Sequence, residues 1–142
     1  MKTEPQFVDQ LIGKGETVLV VEDDTPIRRI VVRYFRELGF SIIEAKSGPE
    51  ALTLLDSTAI DILFTDVVMP GSIDGYELAR LAKDRWPDLN VILTSGFPQT
   101  KLTNNLASTN FRLLSKPYRK ADLAQVVREV AGVALADGKS RD

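Results

Sequence analysis

The sequence predicts an α/β fold in which five parallel strands form a doubly wound sheet of order 2-1-3-4-5, with helices on both faces. Short apolar runs alternate five times with helical patterns along the 142 residues. Three of the runs are almost wholly apolar, which is typical of parallel strands covered on both sides. The length suits one domain, and right-handed crossovers then favour this strand order.

The five strand candidates differ in polarity. They lie at residues 18–21, 41–43, 62–64, 91–93 and 111–114. Glu44 follows the second candidate, whereas Arg112 lies within the fifth and Ser115 follows it. Polar side chains suit edge strands better than central ones, so the second and fifth strands are expected at the two edges of the sheet.

Helix start and stop signals lie between the apolar runs. Thr25 before Pro26 predicts the N-cap and first residue of the first helix, and Gly39 predicts its end. Residues 47–50 and 74–77 form capping boxes that open the second and third helices. The apolar face predicted for the first helix consists of Ile27, Ile30, Val31, Tyr34, Phe35 and Leu38.

The remaining segments set the predicted domain boundaries. Residues 99–108 are polar, so a fourth helix there should pack least firmly, and a fifth helix covers residues 123–131. One domain is expected over residues 16–135, followed by a disordered tail at 136–142. Residues 1–15 are an N-terminal extension or linker. Its apolar residues could instead form a short helix that docks or supports a weak homodimer, and both alternatives stay open; they are Phe7, Val8, Leu11 and Ile12.

Composition excludes several classes of site. Without cysteine, the chain has no disulfide and no thiolate site; without histidine, it has no Ser-His or Cys-His catalysis and cannot itself carry a phosphohistidine. The net charge of −2 gives no field favouring nucleic acid, so no DNA partner is expected. Neither a signal-peptide-like start nor a membrane-spanning apolar run is found, and we expect a cytoplasmic protein.

Polar side chains follow the central strands at the point where each strand ends. Glu22, Asp23 and Asp24 follow the first strand, and Asp66 follows the third. Ligands of doubly wound sheets bind beyond the carboxyl ends of the strands, where the strand order reverses, and here that point lies between strands 1 and 3. We therefore expect these acids to converge.

The fourth and fifth strands end in Thr94 and Lys116 motifs at the same edge. Convergent carboxylates require a cation, and oxygen ligands without His or Cys select Mg²⁺. Phosphoryl transfer to a carboxylate needs such an ion, an ammonium and a hydroxyl around the transferred oxygens. Each motif alone has a purely structural explanation; Asp24, for example, could simply cap a helix. The ordered placement of the motifs at the strand ends favours a phosphoryl-transfer site.

Together these motifs resemble the receiver domain of two-component response regulators, over residues 17–134. The matching residues are 18–24, 64–70, 74–75, 94–96 and 115–118. The resemblance implies a flavodoxin-like receiver fold and a phosphoacceptor in a His-to-Asp phosphorelay. A histidine kinase or histidine phosphotransfer protein would be the partner. The domain would catalyse only its own phosphorylation and slow dephosphorylation, and would not be an enzyme acting on other substrates.

The resemblance also implies roles for individual residues. Asp66 would be the phosphoacceptor. Mg²⁺ would be bound by Asp66, Asp23 and Glu22, with Asp23 a more direct ligand than Glu22. The backbone carbonyl of Val68 would be a further ligand. Lys116 would contact the phosphoryl group.

Switching would involve Thr94 and the position three residues before Lys116. In the family this position is often an aromatic residue that moves on phosphorylation, but here it is Leu113. The switched face would be helix 4, strand 5 and helix 5. Val68 and Gly96 occupy two variable positions near the phosphate, and neither side chain can hold an attacking water, so slow dephosphorylation is expected.

Further similarity points to receivers of hybrid sensor histidine kinases, through residues 15–21, 69–75 and 93–97. A free-standing receiver and an excised domain of such a kinase both stay open.

Two other functions stay as alternatives. A small phosphatase usually has a second acid two residues after the nucleophile, where this chain has Val68. A phosphorylation-independent interaction module usually lacks one of Asp66, Thr94 and Lys116.

Overall fold

The computed structural model describes residues 12–96 and 111–141, with side chains described as far as residue 130. Its strands pair in parallel in the order β2-β1-β3-β4-β5, which confirms the predicted fold class. The strands are β1 (Thr17–Val21), β2 (Ser41–Ala45), β3 (Ile62–Asp66), β4 (Asn90–Ser95) and β5 (Arg112–Ser115). No described helix is long and apolar enough to cross a membrane.

Four described helices cover the sheet: α1 (Thr25–Glu37), α2 (Gly48–Ser57), α3 (Gly75–Arg85) and a C-terminal helix (Lys120–Arg141). The C-terminal helix continues through the segment for which a tail from residue 136 was expected. The disorder of that tail and the domain boundaries stay predictions. The predicted fourth helix, at residues 99–108, lies outside the described residues.

Side chains that accept backbone N–H groups cap the first three helices. Asp24, not Thr25, is the N-cap of α1: its carboxylate accepts the N–H of Ile27 at 3.0 Å. The prediction for Thr25 was wrong because the carboxylate one residue earlier reaches this amide and also suits the positive end of the helix dipole. Ser47 and Asp74 cap α2 and α3, as predicted from their capping boxes.

Two hydrophobic clusters lie on opposite faces of the sheet. Along β1, Leu19 and Val21 belong to the cluster with α2 and α3, whereas Val18 and Val20 belong to the cluster with α1 and the C-terminal helix. Successive side chains of a strand point to opposite faces, so a strand covered twice is apolar throughout. β2 and β5 form the two edges of the sheet, as predicted, and their polar residues Glu44 and Arg112 are exposed.

The buried face of α1 is only partly the predicted one, since Val31, Phe35 and Leu38 are buried as predicted. Arg28, Val31, Val32 and Phe35 are buried, whereas Ile27 and Ile30 are 40% and 44% exposed. The prediction was wrong for Ile27 and Ile30, because apolar residues lie on both sides of this helix and the fit against the sheet decides which side is covered.

Residues 12–15 pack against the turn between α1 and β2. The N–H groups of Gly13 and Gly15 donate to the carbonyl oxygens of Leu38 and Gly39 at 2.8 and 2.9 Å. A Cβ at Gly13 would lie 2.7 Å from the carbonyl carbon of Gly39, so the two backbones can approach this closely only at glycine. This part of the N-terminal extension is therefore attached to the domain; residues 1–11 lie outside the described residues.

Candidate functional site

Strand register brings the predicted site residues to one edge of the sheet. Val21 is paired with Thr65, so Glu22 and Asp66 follow immediately on adjacent strands. Asp66 is paired with Thr94, and paired residues of neighbouring strands direct their side chains to the same face. Lys116 follows β5, and its N–H donates to the carbonyl of Ser95 at 2.8 Å. The edge at which the strands end is called the carboxyl edge below.

Lys116 and Asp66 form an ion pair at this edge. The ammonium nitrogen Nζ lies 2.9 Å from Oδ2 of Asp66, whose side chain is 13% exposed. A charge-assisted hydrogen bond of this length fixes the carboxylate, while its partial exposure leaves access from solvent. The Lys116–Pro117 peptide bond is cis.

Glu22 adds a second, more deeply buried carboxylate, with only 6% of the residue exposed. Burial raises the pKa of Glu22 above its ordinary value, and the charges of Asp66 and Asp23 raise it further. The N–H of Asp24, which donates to Glu22 Oε2 at 3.1 Å, and the Lys116 ammonium act in the opposite direction. Negative charge therefore accumulates beside Asp66, and a bound cation would relieve it.

The donor set suits Mg²⁺ better than a cation that needs a complete protein cage. Within the described residues, no three Asp or Glu side chains lie close enough together to form a metal-binding group. Mg²⁺ keeps several waters and typically uses one or two carboxylates together with phosphate oxygens. Glu22 and Asp66, which interact electrostatically, and the exposed Asp23 fit that requirement. The assignment of these ligands stays a prediction.

The other predicted site residues lie around this pair. Thr94 is buried at the end of β4. Val68, in the loop after β3, has an exposed side chain, and Leu113 of β5 is half-buried against the cluster with α2 and α3. The N–H of Val67 donates to the carbonyl of Thr94 at 2.8 Å, which continues the β3–β4 pairing beyond Asp66. The roles of these residues in phosphate contact and switching stay predictions.

Gly75 explains why glycine opens α3. Its N–H donates to the carbonyl of Val67 at 2.8 Å, and a Cβ on Gly75 would lie 1.7 Å from the carbonyl oxygen of Asp66. The first turn of α3 therefore rests directly on the backbone of Asp66. Thr65 supports the same carbonyl, to which its Oγ1 donates at 3.1 Å. The sequence indicated the Asp74-Gly75 motif but not this contact, and it gave no signal for Thr65.

Sequence reasoning also missed Arg28, which lies beneath the acidic turn. Its Nη1 donates to the carbonyl of Glu22 at 2.8 Å, and its Nε donates to Glu44 Oε1 at 2.9 Å. The available signal was its spacing: Arg28 occupies the same helical face as Val31, Val32 and Phe35. An arginine on an apolar face indicates a buried charge with fixed partners.

An apolar groove adjoins the Lys116–Asp66 pair. Its volume is about 360 Å³, and it is lined by Ile27, Ile30, Val31, Tyr34, Lys116, Pro117 and Tyr118. Burial, followed by the charge of Glu22, raises the pKa of Tyr118, so this side chain stays neutral. Lys116 therefore belongs both to the charged site and to an apolar surface beside it.

A larger cavity, of about 490 Å³, lies at the opposite end of the sheet. Residues from the starts of β3 and β4 line it, together with Glu16 and residues 85–89. It is remote from Asp66 and is not the candidate site.

Comparison with known proteins gives one family. The family model described as the response regulator receiver domain matches residues 18–128. The chain is 38% identical over 122 residues to the sensor kinase CckA of Brucella abortus (strain 2308), covering 84% of this chain and 13% of CckA. It is 32% identical over 114 residues to the response regulator receiver protein CpdR of the same strain, covering 80% of this chain and 94% of CpdR.

Solved structures share the fold. The response regulator TrrA of Thermotoga maritima superposes with a TM-score of 0.73 at 26% identity, covering 81% of this chain and 98% of that one. A signal receiver domain of an HD domain-containing protein from Pseudomonas fluorescens Pf-5 gives a TM-score of 0.78 at 23% identity, covering 86% and 98%. The second likeness shows the fold alone.

Proposed function

This chain belongs to the response regulator receiver domain family, and we propose that it accepts a phosphoryl group onto Asp66 in a His-to-Asp phosphorelay. The observation that carries the proposal is the contact of 2.9 Å between Lys116 Nζ and Asp66 Oδ2 beside a buried acid, Glu22. A carboxylate held by an ammonium at an open edge can act as a nucleophile towards phosphorus. Because these 142 residues contain no histidine, the phosphohistidine would lie outside them, on a histidine kinase or a phosphotransfer protein.

The transfer exchanges one bond for another. An oxygen of Asp66 attacks phosphorus, the new O–P bond forms as the N–P bond to the donor imidazole breaks, and the imidazole takes up a proton. Lys116 already contacts this carboxylate, so its ammonium is placed to pair with an oxygen of the transferred group. Thr94 is in register with Asp66, and we assign its hydroxyl to a second oxygen.

We assign Mg²⁺ to the site formed by Asp66, Asp23, Glu22 and the carbonyl of Val68, where one or two of the carboxylates would bind it directly and waters would supply the remaining ligands. The support is the concentration of negative charge that, together with burial, raises the pKa of Glu22. When bound, Mg²⁺ neutralises charge on the transferred oxygens. TrrA, which shares this fold, is described in complex with Mg(2+)-BeF.

We place the donor on the groove beside Lys116. Ile27 and Ile30 are large apolar side chains left exposed by the domain, and such a patch marks an interaction surface. The groove shares Lys116 with the Asp66 pair, so a partner seated there would present its phosphohistidine next to the acceptor.

Phosphorylation would be read out at a different face. It adds roughly −1.5 to −2 charges at Asp66. We propose that Thr94 closes on the phosphate and that Leu113 and β5 carry the change to the helix 4, strand 5 and helix 5 face.

The proposal is tested by incubation with acetyl phosphate and Mg²⁺, followed by intact mass measurement. Wild type should gain one phosphoryl group and Asp66→Asn none. Asp56→Asn is the matched control, since Asp56 pairs with Arg85 away from the carboxyl edge, and it should behave as wild type. Equal labelling of Asp66→Asn and wild type would show that another residue is the acceptor. A folded wild type that gains no phosphate would favour an interaction module that works without phosphorylation.

A further inference from the structure

Arg28 is a charged residue in an apolar layer. It is 8% exposed and lies on the face of α1 that Val31 and Phe35 bury against the sheet. Burying a guanidinium costs free energy unless its donors are satisfied, and an apolar residue at this position would pack without that cost. The arginine therefore needs an explanation beyond packing of the helix.

Its two acceptors connect three elements. Nη1 donates to the carbonyl oxygen of Glu22 at 2.8 Å, in the turn after β1, and Nε donates to Glu44 Oε1 at 2.9 Å, in β2. The planar guanidinium presents donors in a fixed arrangement, so occupying both acceptors sets its position. Arg28 thereby ties the acidic turn both to the helix that follows it and to the neighbouring strand.

Other contacts fix the remaining atoms of this turn. The N–H of Glu22 donates to the carbonyl of Ala45 at 3.1 Å, and Glu22 Oε2 accepts the N–H of Asp24 at 3.1 Å. The Arg28 contact fixes the carbonyl of Glu22, which begins the peptide unit leading to Asp23. The orientation of that peptide determines where the carboxylate of Asp23 starts, so a guanidinium on its carbonyl restrains the exposed acid of the turn.

We propose that Arg28 is a positioning residue for cation binding: its guanidinium holds the Glu22 carbonyl so that Glu22 and Asp23 are preorganised beside Asp66. The inference rests on the proposed function, because it concerns the Mg²⁺ site assigned there. Groups that orient metal ligands typically contribute about 10–100-fold to metal affinity. Arg28 touches neither substrate nor ion, and its effect passes through the turn.

The test measures Mg²⁺ binding directly, by calorimetric titration of the unphosphorylated domain with MgCl₂ well below its unfolding temperature. Arg28→Met removes both hydrogen bonds and keeps an apolar stem; it should weaken Mg²⁺ affinity about tenfold or more. Glu44→Gln cuts the charge on the β2 partner but leaves the bond to Glu22, so it should weaken affinity less than Arg28→Met. Arg85→Met is the matched control: it removes an exposed arginine paired with Asp56 and should bind Mg²⁺ as wild type does.

The outcomes separate the inference from the proposed function. If the wild-type domain binds no Mg²⁺, the assignment of the Mg²⁺ site itself is contradicted. Wild-type affinity in a folded Arg28→Met protein would overturn the inference alone and leave Arg28 a packing residue. If Arg28→Met does not fold, Arg28→Lys replaces it, since a single ammonium cannot reproduce the two-acceptor fork; unchanged affinity in that variant would be equally decisive.

Discussion

At the scale of single residues, the two carboxylates of the site have different hydrogen-bond donors. Asp66 contacts the Lys116 ammonium directly, whereas the buried Glu22 carboxylate accepts the backbone N–H of Asp24. Burial disfavours ionised Glu22, and the nearby charges of Asp66 and Asp23 add to this effect. The metal-free domain therefore holds a destabilising charge that a cation would compensate.

Glu22 gives a pH-dependent prediction for the protein in chelator. Its pKa is raised above 4.5, so between 4.5 and the raised folded value the folded state keeps a proton that the unfolded chain has released. Stability then falls as pH rises through that window. Glu22→Gln removes the charge and can still accept the Asp24 N–H, so it should raise the melting temperature at neutral pH, and the gain should disappear below pH 4.5.

Calorimetric melting of both proteins across this pH range checks the expectation. Glu50→Gln is the matched control, because Glu50 also accepts a backbone N–H, from Lys46 at 2.8 Å, but is exposed. It should change the melting temperature little at either pH. A Glu22→Gln protein that melts below wild type at neutral pH would show that ionised Glu22 stabilises the fold.

At the residue scale, the sequence predicted that the strand-end residues Asp66 and Lys116 lie together, but it did not predict which side chains at the start of α1 are buried. The motifs that identified Asp66 and Lys116 are local, and the topology brings them together whatever surrounds them. Ile27 and Arg28 are adjacent, and only packing against the sheet decides that the arginine is the buried one of the two. The spacing of Arg28 with Val31, Val32 and Phe35 was the signal within α1, but the acceptors that make its burial possible lie in other elements.

At the scale of elements, the start of α3 packs against the end of β3. Asp74 caps the helix by accepting the N–H of Glu77 at 2.8 Å, and the next residue, Gly75, lies against the backbone of Asp66. Cap residues were predictable because their hydrogen bonds are local in sequence. The close approach of Gly75 to the backbone of Asp66 was not predictable, because it depends on how far the loop after β3 folds back.

Gly75→Ala should destabilise the domain. The added Cβ would lie 1.7 Å from the Asp66 carbonyl oxygen, so α3 or β3 must shift, and overpacking of this kind costs about 1–3 kcal/mol or more. Urea unfolding measures the loss as a lower midpoint, and phosphorylation by acetyl phosphate should slow because Asp66 moves with its backbone. Gly96→Ala is the control for stability alone, since no atom of the described residues lies within 4 Å of its added Cβ. Equal stability of the two variants would contradict the close approach of Gly75 to Asp66.

At the scale of the whole molecule, the acidic site and the attachment of residues 12–15 lie at different ends of the fold. The order β2-β1-β3-β4-β5 brings the ends of β1 and β3 together at the carboxyl edge, where the acids lie. The extension at residues 12–15 is attached near Gly39, at the opposite end of α1 from the acidic turn. The strand order followed from crossover rules, whereas the attachment depends on contact between Gly13 and Gly39, which are distant in sequence.

The groove beside Lys116 predicts that two kinds of phosphodonor will respond differently to one substitution. Ile30 is 44% exposed in that groove, so Ile30→Glu should leave the fold intact while opposing an apolar partner with a charge. A small donor such as acetyl phosphate reaches Asp66 from solvent without docking, and its rate should not change. Transfer from a phosphohistidine-bearing kinase that labels wild type should fall about tenfold, equivalent to about 1.4 kcal/mol of lost binding.

Thr53→Glu supplies the matched control, because Thr53 is exposed on α2, which packs on the other face of the sheet. The kcat/KM of transfer with each donor distinguishes the explanations. An equal loss with both donors would mean that the glutamate disturbs the Asp66–Lys116 pair itself. Undiminished transfer from the kinase would remove the groove as the donor surface while leaving Asp66 as acceptor. A loss confined to the protein donor would show that the exposed isoleucines of α1 belong to partner recognition, which is why the domain leaves them uncovered.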